Sequence, residues 1–173
     1  MTNRQSALSR IRIAAIAILI TVILLPAVLS ASEKPTCTLP DCDQAKAFFA
    51  RFQKAIDADQ RQDVAAMVSY PLHSYRNGKA TVIKTKADLL AHYDTVFSTG
   101  ARCAIKTASL DDVWGNWRGF TISAGAIWWD RILPKSAAQN GAVQPSDLTK
   151  YPFGVYGVNH SPETDKSCSD DAK

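Results

Sequence analysis

Asp130 stands two residues after Trp128 in the run Ile127-Trp128-Trp129-Asp130-Arg131. On a strand, residues two apart share a face. One surface would then carry an indole and a carboxylate, and the opposite surface Trp129 and Arg131. A carboxyl group among apolar rings resists ionisation and titrates above its ordinary range. Such a group could serve as a general acid or base, or could hold a polar ligand. A solvated carboxylate near a strand end, or one paired with an arginine, would do neither. The histidines are His73, His92 and His160. His92 lies beside Tyr93-Asp94, but adjacent positions on a helix do not face each other, so His92 and Asp94 read as a solvated helix edge. Asp111-Asp112 reads as a turn. No Ser-His-Asp order, phosphate-cradling glycine loop or dinucleotide fingerprint occurs. No catalytic residue and no cofactor are therefore assigned.

Cys37, Cys42, Cys103 and Cys168 are an even set. Four cysteines allow three pairings in an oxidising compartment. Cys37–Cys42 with Cys103–Cys168 is the preferred set, and the connectivity stays open. A zinc site would need further closely spaced cysteines or histidines, and Cys103 and Cys168 each stand alone. No metal is expected.

The compartment itself is indicated at the N-terminus. Arg4, Arg10 and Arg12 precede an uncharged run from Ile13 to Leu29, and Val28, Ser30 and Ala31 supply small residues. That series is an export signal over residues 1–31, which predicts a periplasmic or secreted product. The apolar run also approaches the length of a membrane span. Cleavage and retention as an anchor both remain open, and any membrane contact would come only through an uncleaved leader. The formal charge of +4 is misleading. Three of the 20 basic residues lie in the leader, so 17 remain against 16 acidic ones. The rest of the chain has no block of Lys or Arg to track phosphates, so no nucleic-acid partner is expected.

Residues 32–41 read as a lead-in, 42–160 as one domain and 161–173 as a polar tail. In the domain, Ala45, Phe48, Phe49, Phe52, Ala55 and Ile56 recur at helical spacing. Asp59 with Gln62 resembles a capping box for a second helix that Pro71 would end. Leu72 to Arg76 and Lys79 to Lys84 flank Asn77-Gly78, a strong hairpin signal. Thr85 with Asp88 opens a third helix lined by Leu89, Tyr93, Val96 and Phe97, which Gly100 would end. Strands are then expected over Arg102 to Leu110, Val113 to Ile122, Gly125 to Leu133 and Phe153 to Asn159. A polar loop from Pro134 to Lys150 interrupts them. Because Trp128 and Trp129 are adjacent, one indole must point away from the helices. Trp129 and Trp117 are the candidates for an outer patch covered by a homodimer partner or another protein.

The carriers of a resemblance are Phe48-Phe49 with Phe52, Val68-Ser69-Tyr70-Pro71-Leu72, Tyr93-Asp94 with Phe97, and Gly119-Phe120-Thr121-Ile122 leading into Gly125 to Trp129. In this order they resemble the nuclear transport factor 2-like superfamily, in particular exported bacterial members without assigned activity. The resemblance implies an α+β fold: a curved antiparallel sheet wrapped around about three N-terminal helices into a cone. It implies a pocket reached by Trp128, Asp130 and Tyr93. A fold does not choose a function. The expected role is a noncatalytic exported binding protein that takes a small apolar ligand or a protein partner. The alternative is a small cofactor-free enzyme, of isomerase, dehydratase or hydrolase type, with Asp130 as acid or base.

Overall fold

The computed structural model describes residues 37–122, 125–134 and 145–160. The expected leader, the first half of the lead-in, the centre of the polar loop, the tail and Cys168 lie outside the described residues. The chain divides into two units, Met1–Glu33 and Lys34–Lys173, and everything below concerns the second.

The first helix, α1 (Cys42–Asp57), follows from its apolar stripe. Ala45, Phe48, Phe49, Phe52, Ala55 and Ile56 are all buried. Its start is fastened twice. A disulfide joins Cys37 to Cys42, and the Asp41 carboxylate accepts from Arg131 Nε at 3.3 Å. A short helix, α2 (Arg61–Ala66), buries Val64 and Ala65. Its N-cap is Gln60, without a side-chain cap, because Asp59 adopts φ 48° and ends the preceding turn. The expected capping box at Asp59 is thereby corrected.

Strand β1 (Val68–Arg76) begins earlier than expected and runs through Pro71. Proline supplies no ladder donor, and the ladders leave room for it. Pairing with β2 (Lys79–Ile83) starts at Leu72, and pairing with the last strand is irregular between Val68 and His73. Asn77 and Gly78 make the hairpin turn at φ 51° and 74°, the left-handed pair that a two-residue turn needs.

The Thr85 hydroxyl caps α3 (Lys86–Ala91) by accepting from the Asp88 N–H at 3.1 Å. The expected third helix then breaks at His92 into α4 (Tyr93–Val96). Ser98 caps a further helix, α5 (Thr99–Thr107), where a strand was expected. Ala101, Ala104 and Ile105 recur at helical spacing and are buried, so period decides against β character there. The Gln53 side chain of α1 donates to the carbonyls of Ile105, at 2.8 Å, and Ala108, at 2.9 Å. It thus occupies acceptors that a helix end leaves open.

After a 3-10 turn (Leu110–Asp112), the expected strand from Val113 to Ile122 is a tight hairpin, β3 (Trp114–Asn116) and β4 (Gly119–Ile122). Gly119 sits at φ +112°, and the Asn116 side chain accepts from the Arg118 N–H at 2.8 Å. Strand β5 (Ile127–Arg131), a 3-10 turn (Pro145–Lys150) and β6 (Phe153–His160) complete the fold.

The sheet is open, with strand order β2-β1-β6-β5-β4-β3. It is mixed, because β1 and β6 run parallel while the other neighbours run antiparallel. The expected curved antiparallel sheet wrapped into a cone is corrected: the edges β2 and β3 do not meet, and the sheet does not curl around the helices. Helices cover one face. There Trp129 stacks on Phe49 at 5.0 Å and lies 6.2 Å from Phe120, centroid to centroid, and all three rings are buried.

Candidate functional site

The face of the sheet away from this core is built by strand alternation. Along β5, Ile127 and Trp129 enter the core, while Trp128 and Asp130 point the other way and are half-buried. Strand β6 carries one extra residue, Tyr156, between the pairs Trp128–Gly157 and Trp129–Val155. The bulge keeps Phe153, Val155 and Val158 in the core on either side of it.

Successive strand pairings give one row of neighbours across all six strands. Trp114 pairs with Thr121, Thr121 with Trp128, Trp128 with Gly157, Gly157 with His73 and His73 with Val82. In this row Trp114 and Trp128 meet edge to face at 6.5 Å. His73 stacks on Tyr75 at 6.3 Å from the other side. Between them the floor is glycine: a Cβ placed on Gly157 would touch Trp128 Cβ at 3.5 Å. The result is a depression of about 750 Å³ bordered by His73, Tyr75, Trp128, Asp130, Tyr156 and Asn159. That volume lies in the range of small-molecule sites.

Asp130 supplies the charge in this depression. One carboxylate oxygen accepts the Arg131 N–H at 2.7 Å, and the other has no hydrogen-bond partner among the described residues. Burial holds the Asp130 carboxyl above the ordinary carboxylate range, against the pull of that backbone hydrogen bond. The Arg131 guanidinium offsets that rise only in part. That group crosses to the helix side, where it bonds Asp41, Gln44 and the Tyr151 carbonyl and lies 3.9 Å from the Phe153 ring centroid. Arg118, another lining residue, is held at 4.8 Å over the ring of Trp117. The Tyr156 hydroxyl donates to the Arg118 carbonyl at 2.7 Å, and burial, followed by the nearby Asp130 charge, raises its pKa.

No family model, no curated protein and no solved structure matches this chain. The resemblance to the nuclear transport factor 2-like superfamily is corrected on that ground and on the open, uncurled sheet. The family and the compartment expected from the sequence gain no support here, whereas the Cys37–Cys42 disulfide is present.

The structure brings Trp128 and Asp130 together and leaves Tyr93 elsewhere. Tyr93 is buried on the helix side, beneath the Arg61 guanidinium at 4.7 Å and beside Phe97. A ligand on Trp128 therefore does not reach it. Trp129 is fully buried and presents no interface, a correction that follows from strand alternation: Trp128 is the indole that points out. Trp117 sits at the tip of the β3–β4 hairpin and is 84% exposed. Asp94 forms ion pairs with Arg61 and Arg102 at the surface, as a helix edge does. Cys103 is disulfide-bonded; Cys168, its expected partner, lies outside the described residues. Among the described residues no cluster of His, Cys, Asp or Glu could hold a metal, and no helix is long and apolar enough to cross a membrane.

Sequence reasoning did not find His73, Tyr75, Tyr156 or Gly157. The alternation His73-x-Tyr75 was a usable signal for a shared face. Their position beside Trp128 was not, because it depends on the parallel pairing of β1 with β6.

Proposed function

We propose that this domain is a noncatalytic binding module whose outer sheet face, free of helices among the described residues, takes a small ligand. One observation carries the reading: the cross-strand row in which Trp114 and Trp128 face His73 across the glycine floor at Gly157. Half-buried indoles beside an open floor offer apolar area without the cost of opening a packed core. A protein partner on the same face is the competing occupant. The disulfides suit an oxidising compartment, so the domain is proposed to act outside the cytoplasm.

The experiment is a titration of the protein with benzyl alcohol, followed by two-dimensional NMR. The expected shifts cluster on Gly157, His73 and the Trp128 indole N–H. Gly157→Val should abolish them at nearly unchanged melting temperature, because the first added carbon meets Trp128 at an ordinary contact distance. Shifts that map to another surface, or an affinity unchanged in Gly157→Val, would overturn the reading.

One observation favours a second reading, an acid–base enzyme. Asp130 is a half-buried carboxyl with a raised pKa that borders a depression, a common setting for proton transfer. A turnover lost in Asp130→Asn, with the fold intact, would establish it.

A further inference from the structure

The charge pattern of the depression narrows the ligand. We propose that it takes a small organic cation, with Asp130 as counter-charge and the Trp128 indole as the face on which the cation rests. The inference rests on the binding reading above and adds the sign of the ligand's charge.

Three placements carry it. Asp130 points into the depression with one oxygen unpartnered among the described residues. The cation next to it in sequence, Arg131, turns its guanidinium to the opposite face of β5 and is fully engaged there. Arg118 is held over Trp117 at the hairpin tip. Both arginines border the depression and Arg131 acts on Asp130 through space, but neither guanidinium hydrogen-bonds the half-buried carboxyl among the described residues, and a buried charge without a close partner is costly. The surroundings suit a large, weakly hydrated cation. Trp128 shares its strand face, Tyr156 and Tyr75 border the same space, and aromatic faces attract cations at close range. Glycine clears the space beside the indole: Gly157 lies opposite Trp128, and a Cβ there would meet Trp128 Cβ at 3.5 Å.

The test uses choline as the probe and 3,3-dimethylbutan-1-ol as its uncharged isostere, each titrated against the protein by NMR at neutral pH. Choline is expected to bind saturably and at least tenfold more tightly than the isostere. Asp130→Asn should remove that preference by weakening choline at least tenfold while leaving the isostere unchanged. Trp128→Ala should weaken both. Asp130→Ser repeats the measurement if the first variant folds poorly. Equal binding of the two probes, or choline affinity unchanged in Asp130→Asn and Asp130→Ser, overturns the cation assignment and leaves an apolar binding face standing. No choline binding also overturns it, and the benzyl alcohol titration then decides separately whether the face binds anything.

Discussion

At the scale of single residues, two buried polar atoms have no hydrogen-bond partner among the described residues: the Tyr93 hydroxyl and the Trp129 indole nitrogen. Burial pushes the Tyr93 pKa up to about 12, with Asp59 adding to the rise. An unpartnered buried hydroxyl contributes little to stability and can cost it. Tyr93→Phe is therefore expected to change unfolding free energy by less than ~1 kcal/mol, or to raise it, in denaturant titration. A loss of more than ~2 kcal/mol would show that the hydroxyl has a partner. Asp130 gives a pH signature. Its folded pKa is raised, so its contribution to stability is fully present below the ordinary aspartate range and is lost as pH rises through the raised value. Asp130→Asn keeps an oxygen for the Arg131 N–H and removes that loss. Its melting temperature should match wild type in acid and exceed it at neutral pH. A variant less stable than wild type at pH 7 would contradict the burial argument.

At the scale of elements, the β3–β4 hairpin depends on one backbone position. Gly119 has φ +112°, and a Cβ there would lie 2.6 Å from the Trp129 carbonyl oxygen. Backbone cannot yield as a flexible side chain does, and a positive φ strains any other residue. Gly119→Ala is expected to cost about 2–4 kcal/mol by thermal or denaturant unfolding. Gly157→Val should be mild, and this contrast separates a glycine required by geometry from one that clears a floor. The start of α1 offers a second test. Cys37 and Cys42 close a loop with a sequence separation of 5. Loop-closure entropy for so short a ring is about 2 kcal/mol. The double variant Cys37→Ser/Cys42→Ser should lose about that much and keep the fold, since α1 still buries its aromatic stripe.

At the scale of the whole molecule, every buried core residue among the described ones lies between Cys42 and Val158. The apolar material for folding is thus contained in the second unit, Lys34–Lys173. A chain beginning at Lys34 is expected to unfold in a single cooperative transition within about 3 °C of the full chain, a shift that corresponds to about 1 kcal/mol at most. A large loss of melting temperature would mean that the first 33 residues support the domain. Trp117, exposed at the hairpin tip, remains open to a second copy or another protein. Trp129 does not, and a dimer built on it would require the core to open.

Local chemistry was legible from the residues alone. The stripe from Ala45 to Ile56, the Thr85 cap and the Asn77-Gly78 turn each depend on neighbours a few positions away, and each was readable for that reason. Strand alternation also settled that Trp128 and Asp130 share a face. Alternation is symmetric, however, and could not say which face meets the helices. That choice belongs to packing, where Phe49 and Phe120 receive Trp129. The helix α5 was missed because Gly100 read as an end, whereas the Ser98 cap and the acceptor-satisfying Gln53 from α1 support a helix there. The open sheet, the parallel pairing of β1 with β6, and hence the row from Trp114 to Val82 rest on contacts between segments far apart in the chain. Residue types specify such contacts only jointly, through the burial of a whole core, so the binding face became visible only once the strands were in register.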